Sequence, residues 1–207
     1  MTTDPLLEQT RKYYDASLRA HGATPRGVDW NSAASQELRF DKLGSVLVGN
    51  AEAAVLDYGC GYGALAAYLR ARGHRGPYQG FDLSSEMIAA ALEFTAPLAA
   101  CTFSADRAEL QPVDFALASG IFNVKRDASD ADWHAYVLRT LDDLRALSRL
   151  GFAFNVLTAH ADADKRRADL YYADPLTMFE HCRRRFSRQV ALLHDYPLYE
   201  FTISVRL

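Results

Sequence analysis

The chain has 207 residues, 49% of them hydrophobic, and a formal charge of −3, the size and make-up of one domain with a substantial core. That mildly acidic balance excludes an overall basic field for nucleic acid, and no apolar run approaches the ~20 residues a membrane helix needs. Cys60, Cys101 and Cys182 are odd in number and lack metal-ligand spacing, which points to reduced thiols in a cytoplasmic protein.

The start, Met1 to Pro5, lacks the basic-then-apolar run of a secretory signal. Asp4-Pro5 reads as a helix cap and first helical residue. Leu7, Arg11, Tyr14 and Leu18 recur at helical spacing until Gly22. A turn-rich link leads to Trp30. A second helix, capped by Asn31 or Ser32, runs to about Val48 with Gln36, Phe40, Leu43 and Leu47 on one face. These two helices form an expected N-terminal cap, residues 1–52, over a domain of residues 53–207.

From residue 54 apolar strands alternate with helices. Strands are expected at 54–58, 78–82, near 100–104, at 115–119 and at 152–157. Helices are expected at 63–72, from Ser84 or Ser85 to about Phe94, and at 130–148. This alternation means a parallel sheet with right-handed crossovers. A polar stretch, Thr158 to Asp174, precedes a Pro175-capped helix to about Arg185. Arg183, Arg184, Arg185 and Arg188 read as a solvated helix end. Val190 to His194 and Glu200 to Leu207 read as an antiparallel pair at the sheet edge.

The first turn carries the chemistry. Val55-Leu56-Asp57-Tyr58 runs into Gly59-Cys60-Gly61-Tyr62-Gly63, and a helix opens directly after. Glycine at alternate positions turns the backbone sharply and leaves room for a ligand beside bare N–H groups. The helix start adds a positive dipole end. Asp82, ending the second strand, is placed to accept from a ribose diol. The group predicted is a nucleoside carrying a small anionic tail.

The order Asp57-x-Gly59-x-Gly61-x-Gly63 differs from the dinucleotide fingerprint and resembles motif I of the class I S-adenosylmethionine-dependent methyltransferases. Phe81-Asp82-Leu83-Ser84 resembles that family's ribose-binding segment. The resemblance covers about residues 53–207. It implies a Rossmann-like three-layer α/β sandwich with a seven-stranded, mostly parallel sheet whose last strand is antiparallel. It implies S-adenosylmethionine as cofactor, with its tail on Gly59, Cys60, Gly61 and Gly63. Asp57 would attract the tail ammonium, and Asp82 would hold the ribose. Leu83 and Met87 would wall the adenine. Asp106 would accept from the adenine amine, or else cap the next turn. Ser119 would line the space beside the sulfonium. Gln36 and Arg39 would close the cofactor from above, though Arg39 could instead pair with Asp41 or Glu37.

Relatives that use a metal carry carboxylates after strands four and five. Here Ser119-Gly120 and Leu157-Thr158-Ala159 stand there, and metal-independent transfer is expected. The acceptor is expected to be oxygen or nitrogen of a small metabolite. RNA or protein methylation, and a binder doing other chemistry, remain alternatives. His194 beside Asp195 is the first candidate base, with His160 in reserve and Tyr172 facing the acceptor; each also reads as a structural residue. Residues 158–174 are expected to be a mobile lid.

Overall fold

Short apolar strands that stay buried on both faces need helices above and below them, and the computed structural model resolves into that arrangement. It describes residues 5–207. Met1 to Asp4, including the expected Asp4 cap, lie outside the described residues. The strands are β1 (Val55–Tyr58), β2 (Tyr78–Phe81), β3 (Cys101–Ser104), β4 (Val113–Ala118), β5 (Ser148–Thr158), β6 (Tyr172–Ala173), β7 (Gln189–Leu193) and β8 (Glu200–Arg206). Their order across the sheet is β3-β2-β1-β4-β5-β8-β7, with β6 paired to β5 off that path.

The pairs among β1 to β6 are parallel, and β8 runs antiparallel to both β5 and β7. Seven strands with the last one reversed is the expected topology. Two details differ. The expected edge pair enters the sheet through β8, which leaves β7 as the outer strand. The two-residue β6 lies inside the polar stretch, where no periodicity announced it.

The helices are α1 (Pro5–His21), α2 (Ala33–Gly44), α3 (Ala64–Ala71), α4 (Ser85–Phe94), α5 (Asp130–Ala146) and α6 (Pro175–Arg185). Side chains of Ser32, Ser84, Ser129 and Asp174 cap α2, α4, α5 and α6 by accepting a backbone N–H three residues on. α2 stops at Gly44, and a 3-10 turn, Ser45–Leu47, carries the rest of its apolar face. α5 ends at Ala146, so β5 begins four residues before the expected Phe152, in register with Val113 of β4.

One core joins Trp133, Val137, Leu141 and Leu144 of α5 and Met178 and Cys182 of α6 to the sheet. The opposite core joins Leu65 and Leu69 of α3 to Val55, Phe115 and Leu117. Phe40, Leu43, Val46 and Leu47 belong to that second core. α2 is therefore a member of the helical layer, held by hydrophobic burial, while α1 reaches across to α4. The Arg183 to Arg185 run is exposed at the end of α6, and its members pair with Glu180 and Asp142.

Candidate active site

Parallel strands end together at their carboxyl edge, and ligands of such sheets bind there. Here β1 ends on a turn with Gly59, Gly61 and Gly63 at φ +83°, +52° and +82°. A Cβ on Gly59 would sit 2.1 Å from Ile121 Cγ2, so this glycine serves close packing as well as the turn. The expected bare amides are not all bare. Gly59 N and Cys60 N donate to Phe81 O at 2.7 and 2.8 Å, and Gly61 N donates to Asp82 Oδ2 at 3.0 Å. Gly63 caps α3 without a side-chain bond. It packs near Thr95, off the cleft lining, so its expected contact with the cofactor tail becomes a structural role.

Asp82 is braced from two sides, since its Oδ1 accepts from Ser84 N at 2.9 Å. Burial pushes its pKa up to about 6, against the pull of those two backbone donors, and the charge of Asp15 adds to the rise. Each carboxylate oxygen has two acceptor directions, so lone pairs remain for a diol. Asp57, 2% exposed, accepts from Tyr78 OH. Its pKa rises to about 7, driven by burial and opposed by that hydrogen bond, with a further push from Asp82.

Above the turn lies a cleft of about 950 Å³, measured out to its mouth. Asp57, Gly59, Cys60, Gly61, Asp82, Leu83, Met87, Ser119 and Gln36, nine of the residues singled out in the sequence, line it. Ser119 Oγ is buried without a hydrogen-bond partner, a sign of a polar ligand group. Gln36 accepts from Tyr62 OH at 3.1 Å through Oε1. The roof includes Leu7, Arg11 and Tyr14 of α1, the same face whose helical periodicity is visible in the sequence. Trp133 and Tyr136 of α5 form a further aromatic wall. Sequence reasoning missed that wall, because its spacing reads equally as core.

Trp30 closes the tip of β4. Gly120, at φ +73°, has no room for a Cβ, which would fall 2.4 Å from the Trp30 ring. Arg39 lies over the same ring at 3.9 Å. This corrects the expectation for Arg39. It is 8% exposed and clasps Glu200, itself 1% exposed, through two bonds of 2.8 and 2.6 Å. It is absent from the cleft lining and pairs with neither Asp41 nor Glu37. A buried bidentate pair satisfies both charges and ties α2 to β8.

Other expectations also fail on position. Asp106 is exposed, accepts from Ala108 N at 2.9 Å and caps the turn Arg107–Glu109; it does not line the cleft. His160 and His194 are exposed and stack on each other, with ring centroids 6.1 Å apart. Neither lines the cleft, and Asp195, the expected partner of His194, is taken by Lys42 Nζ at 2.8 Å. Tyr172 OH accepts from Arg167 N at 3.0 Å, away from the cleft. No described residue of 158–174 lines the cleft. That segment is tied down instead, with Lys125 N and Arg126 N bonded to Asp169 O and Tyr171 N bonded to Asn123 O. Local polarity signalled a loop but carried no information about these distant backbone partners.

Among the described residues no group of three or more His, Cys, Asp or Glu is placed to hold a metal. No described helix is long and apolar enough to cross a membrane.

A family profile described as a methyltransferase domain matches residues 55–143. The Mycobacterium tuberculosis protein Rv1506c, named as a methyltransferase, is 54% identical over 151 residues, covering 72% of this chain and 90% of that one. The N-methyltransferase NodS from Bradyrhizobium japonicum WM9, solved with S-adenosylhomocysteine, superposes with a TM-score of 0.69 at 15% identity, over 95% of this chain and 97% of its own. Magnesium protoporphyrin IX methyltransferase from Synechocystis PCC 6803, solved with S-adenosylmethionine, gives 0.68 at 16% identity, over 100% and 99%.

Proposed function

Because the chain belongs to the class I S-adenosylmethionine-dependent methyltransferases, we propose that it methylates a nitrogen or oxygen of a small molecule enclosed between the glycine turn and α1. The observation that carries this reading is the roof. α1, Trp30 and α2 cover the turn and leave an aromatic-walled cleft lined mainly by apolar side chains with a few polar groups, the usual make-up of a small-molecule site. A polymer would need an open groove at the same place. The names of the two structural relatives, one an N-methyltransferase and one acting on magnesium protoporphyrin IX, support a small acceptor.

The cofactor supplies a methyl group on a sulfonium. The residues present suit it. The tight packing at Gly59 admits no side chain over the turn, and the orphaned Ser119 hydroxyl offers a polar contact for the tail. Asp82 would accept the ribose hydroxyls with its remaining lone pairs. Asp57 would place negative charge near the tail ammonium. Leu83 and Met87 would flank the adenine, with Gln36 above.

The described lining of the cleft holds no histidine or lysine, and its carboxylates are Asp57 and Asp82. The protein's part is therefore alignment and exclusion of water. The acceptor's proton leaves to solvent, or the acceptor arrives without it. Three free cysteines, two of them buried, support a reducing, cytoplasmic setting.

The test is labelled-methyl transfer from S-adenosylmethionine into cell extracts, with and without nuclease or protease. Label in nuclease- and protease-resistant small molecules is the expected result. Label lost to nuclease or protease moves the assignment to RNA or protein. No label, with S-adenosylhomocysteine still bound, means the protein does other chemistry.

A further inference from the structure

A buried chain of hydrogen bonds beside the cleft links α1 to the end of β2. Asp15, on α1, is 4% exposed, and Ser84 is 2% exposed. The Ser84 hydroxyl donates to Asp15 Oδ1. The same hydroxyl oxygen accepts Met87 N at 3.0 Å, as the cap of α4. The Ser84 backbone N–H donates to Asp82 Oδ1 at 2.9 Å. One serine thus connects two carboxylates. Arg11 Nη1 holds the other oxygen of Asp15 at 2.7 Å, and Glu8 grips Arg11 through two bonds of 3.0 and 2.8 Å.

Two carboxylates so close repel each other. Burial is the main reason Asp82 holds its proton more tightly than usual, and the Asp15 charge adds to it. Arg11 holds one oxygen of Asp15 and Ser84 the other. The geometry gives the charge a use. A serine hydroxyl has a single proton to donate. Giving it to Asp15 fixes the Ser84 side chain, and with it the Ser84 N–H that holds Asp82 Oδ1.

We propose that Asp15 is a positioning residue for the ribose clamp: by holding the Ser84 hydroxyl it keeps the Ser84 N–H on Asp82 Oδ1 and so sets that carboxylate in place for the nucleoside diol. The proposal rests on the cofactor reading above. It also gives α1 a role beyond roofing, since docking of this helix and readiness of the clamp become one event. α1 makes a second bridge to α4, between Arg19 and Glu86 at the surface, and this bridge involves neither Ser84 nor Asp82. It supplies a control.

The experiment is calorimetric titration with S-adenosylhomocysteine and with its 2′-deoxy counterpart, which lacks one of the two hydroxyls. Asp15→Ala should weaken S-adenosylhomocysteine by about 5- to 50-fold, and the 2′-deoxy ligand by less than about 2-fold. Asp15→Asn, whose amide oxygen still accepts from Ser84, should fall between the native protein and Asp15→Ala, and it decides the matter if Asp15→Ala does not fold. Arg19→Ala should leave both affinities within about 2-fold of native. Equal losses for the two ligands, or a loss in Arg19→Ala as large as in Asp15→Ala, would show that Asp15 merely fastens the helix, and the proposal fails. Unchanged binding in Asp15→Ala also overturns it. Native protein that binds neither ligand overturns the cofactor reading itself, a result distinct from all of these.

Discussion

Asp57→Asn isolates the cost of burying a carboxylate at the heart of the sheet. Folded Asp57 has a pKa of about 7, against 3.8 for the ordinary group, because burial disfavours its charge. Folded protein therefore holds this proton at pH values where the unfolded chain has released it. The native protein is favoured most below about 3.8 and loses stability as pH climbs toward and through about 7. At one pKa unit per 1.36 kcal/mol, the linkage removes about 2–3 kcal/mol between pH 5 and pH 8.5. Asparagine keeps an acceptor for Tyr78 OH but cannot ionise, so it escapes this slope. Its amide N–H is a buried donor that costs about 1–3 kcal/mol where it finds no acceptor.

The measurement is urea unfolding of both proteins at pH 5 and pH 8.5. The stability of Asp57→Asn relative to native should rise by about 2–3 kcal/mol between the two conditions. Taking the difference cancels the titration of all other groups to first order. Asp82, which contributes a smaller push on Asp57, is the main exception. A difference that stays flat with pH would show that Asp57 ionises normally inside the sheet, and the argument from burial would be wrong.

Asp82→Ala should weaken S-adenosylhomocysteine binding by about 1–3 kcal/mol by calorimetry; unchanged affinity removes Asp82 from the site. In the native protein the same affinity should fall by about tenfold from pH 8 to pH 5 if Asp82 accepts the ribose as proposed, because its carboxylate protonates through about 6. His194→Ala should leave methyl transfer within about 2-fold of native, since the ring is exposed and outside the cleft; a large loss of turnover with intact folding would restore it as a base. Gly120→Ala should lower stability by about 1–3 kcal/mol, from the left-handed backbone and the collision with Trp30, and thermal unfolding followed by tryptophan fluorescence tests this.

The sequence made the sheet and most of the cofactor wall legible because both follow local rules. Strand–turn–helix punctuation around Asp57 to Gly63, and an acid at the tip of β2, are readable within thirty residues. The helix starts at Ser32 and Ser84 were readable for the same reason, whereas the caps Ser129 and Asp174 appear only in the structure. What stayed hidden depends on long-range pairing. Arg39 finds Glu200, Lys42 finds Asp195, and Asp15 finds Ser84, each from an element distant in sequence. His194 beside Asp195 looked like an oriented base because neighbours in sequence were taken as neighbours in space. At a strand end, successive side chains point to opposite faces, and Asp195 turned to Lys42.

The place of β8 in the sheet bears on how the chain is made. β8 is laid between β5 and β7, although it is the last of the three to leave the ribosome. Until residues 200–206 emerge, the edge of β5 that β8 will take has no partner, because β6 pairs with the opposite edge: Leu157 faces Tyr172 on one side and Glu200 on the other. About fifty residues separate the end of β5 from the end of β8, so at the usual pace of synthesis that edge stands open for about 2–10 s. Such an edge is a template for a strand from another nascent chain. Glu200 arrives in the same late segment, so Arg39 spends the interval without its counter-charge. Slow translation, or a rare-codon pause between residues 160 and 200, should therefore raise the yield of aggregate more than an equal pause placed before residue 148, when β5 has not been made.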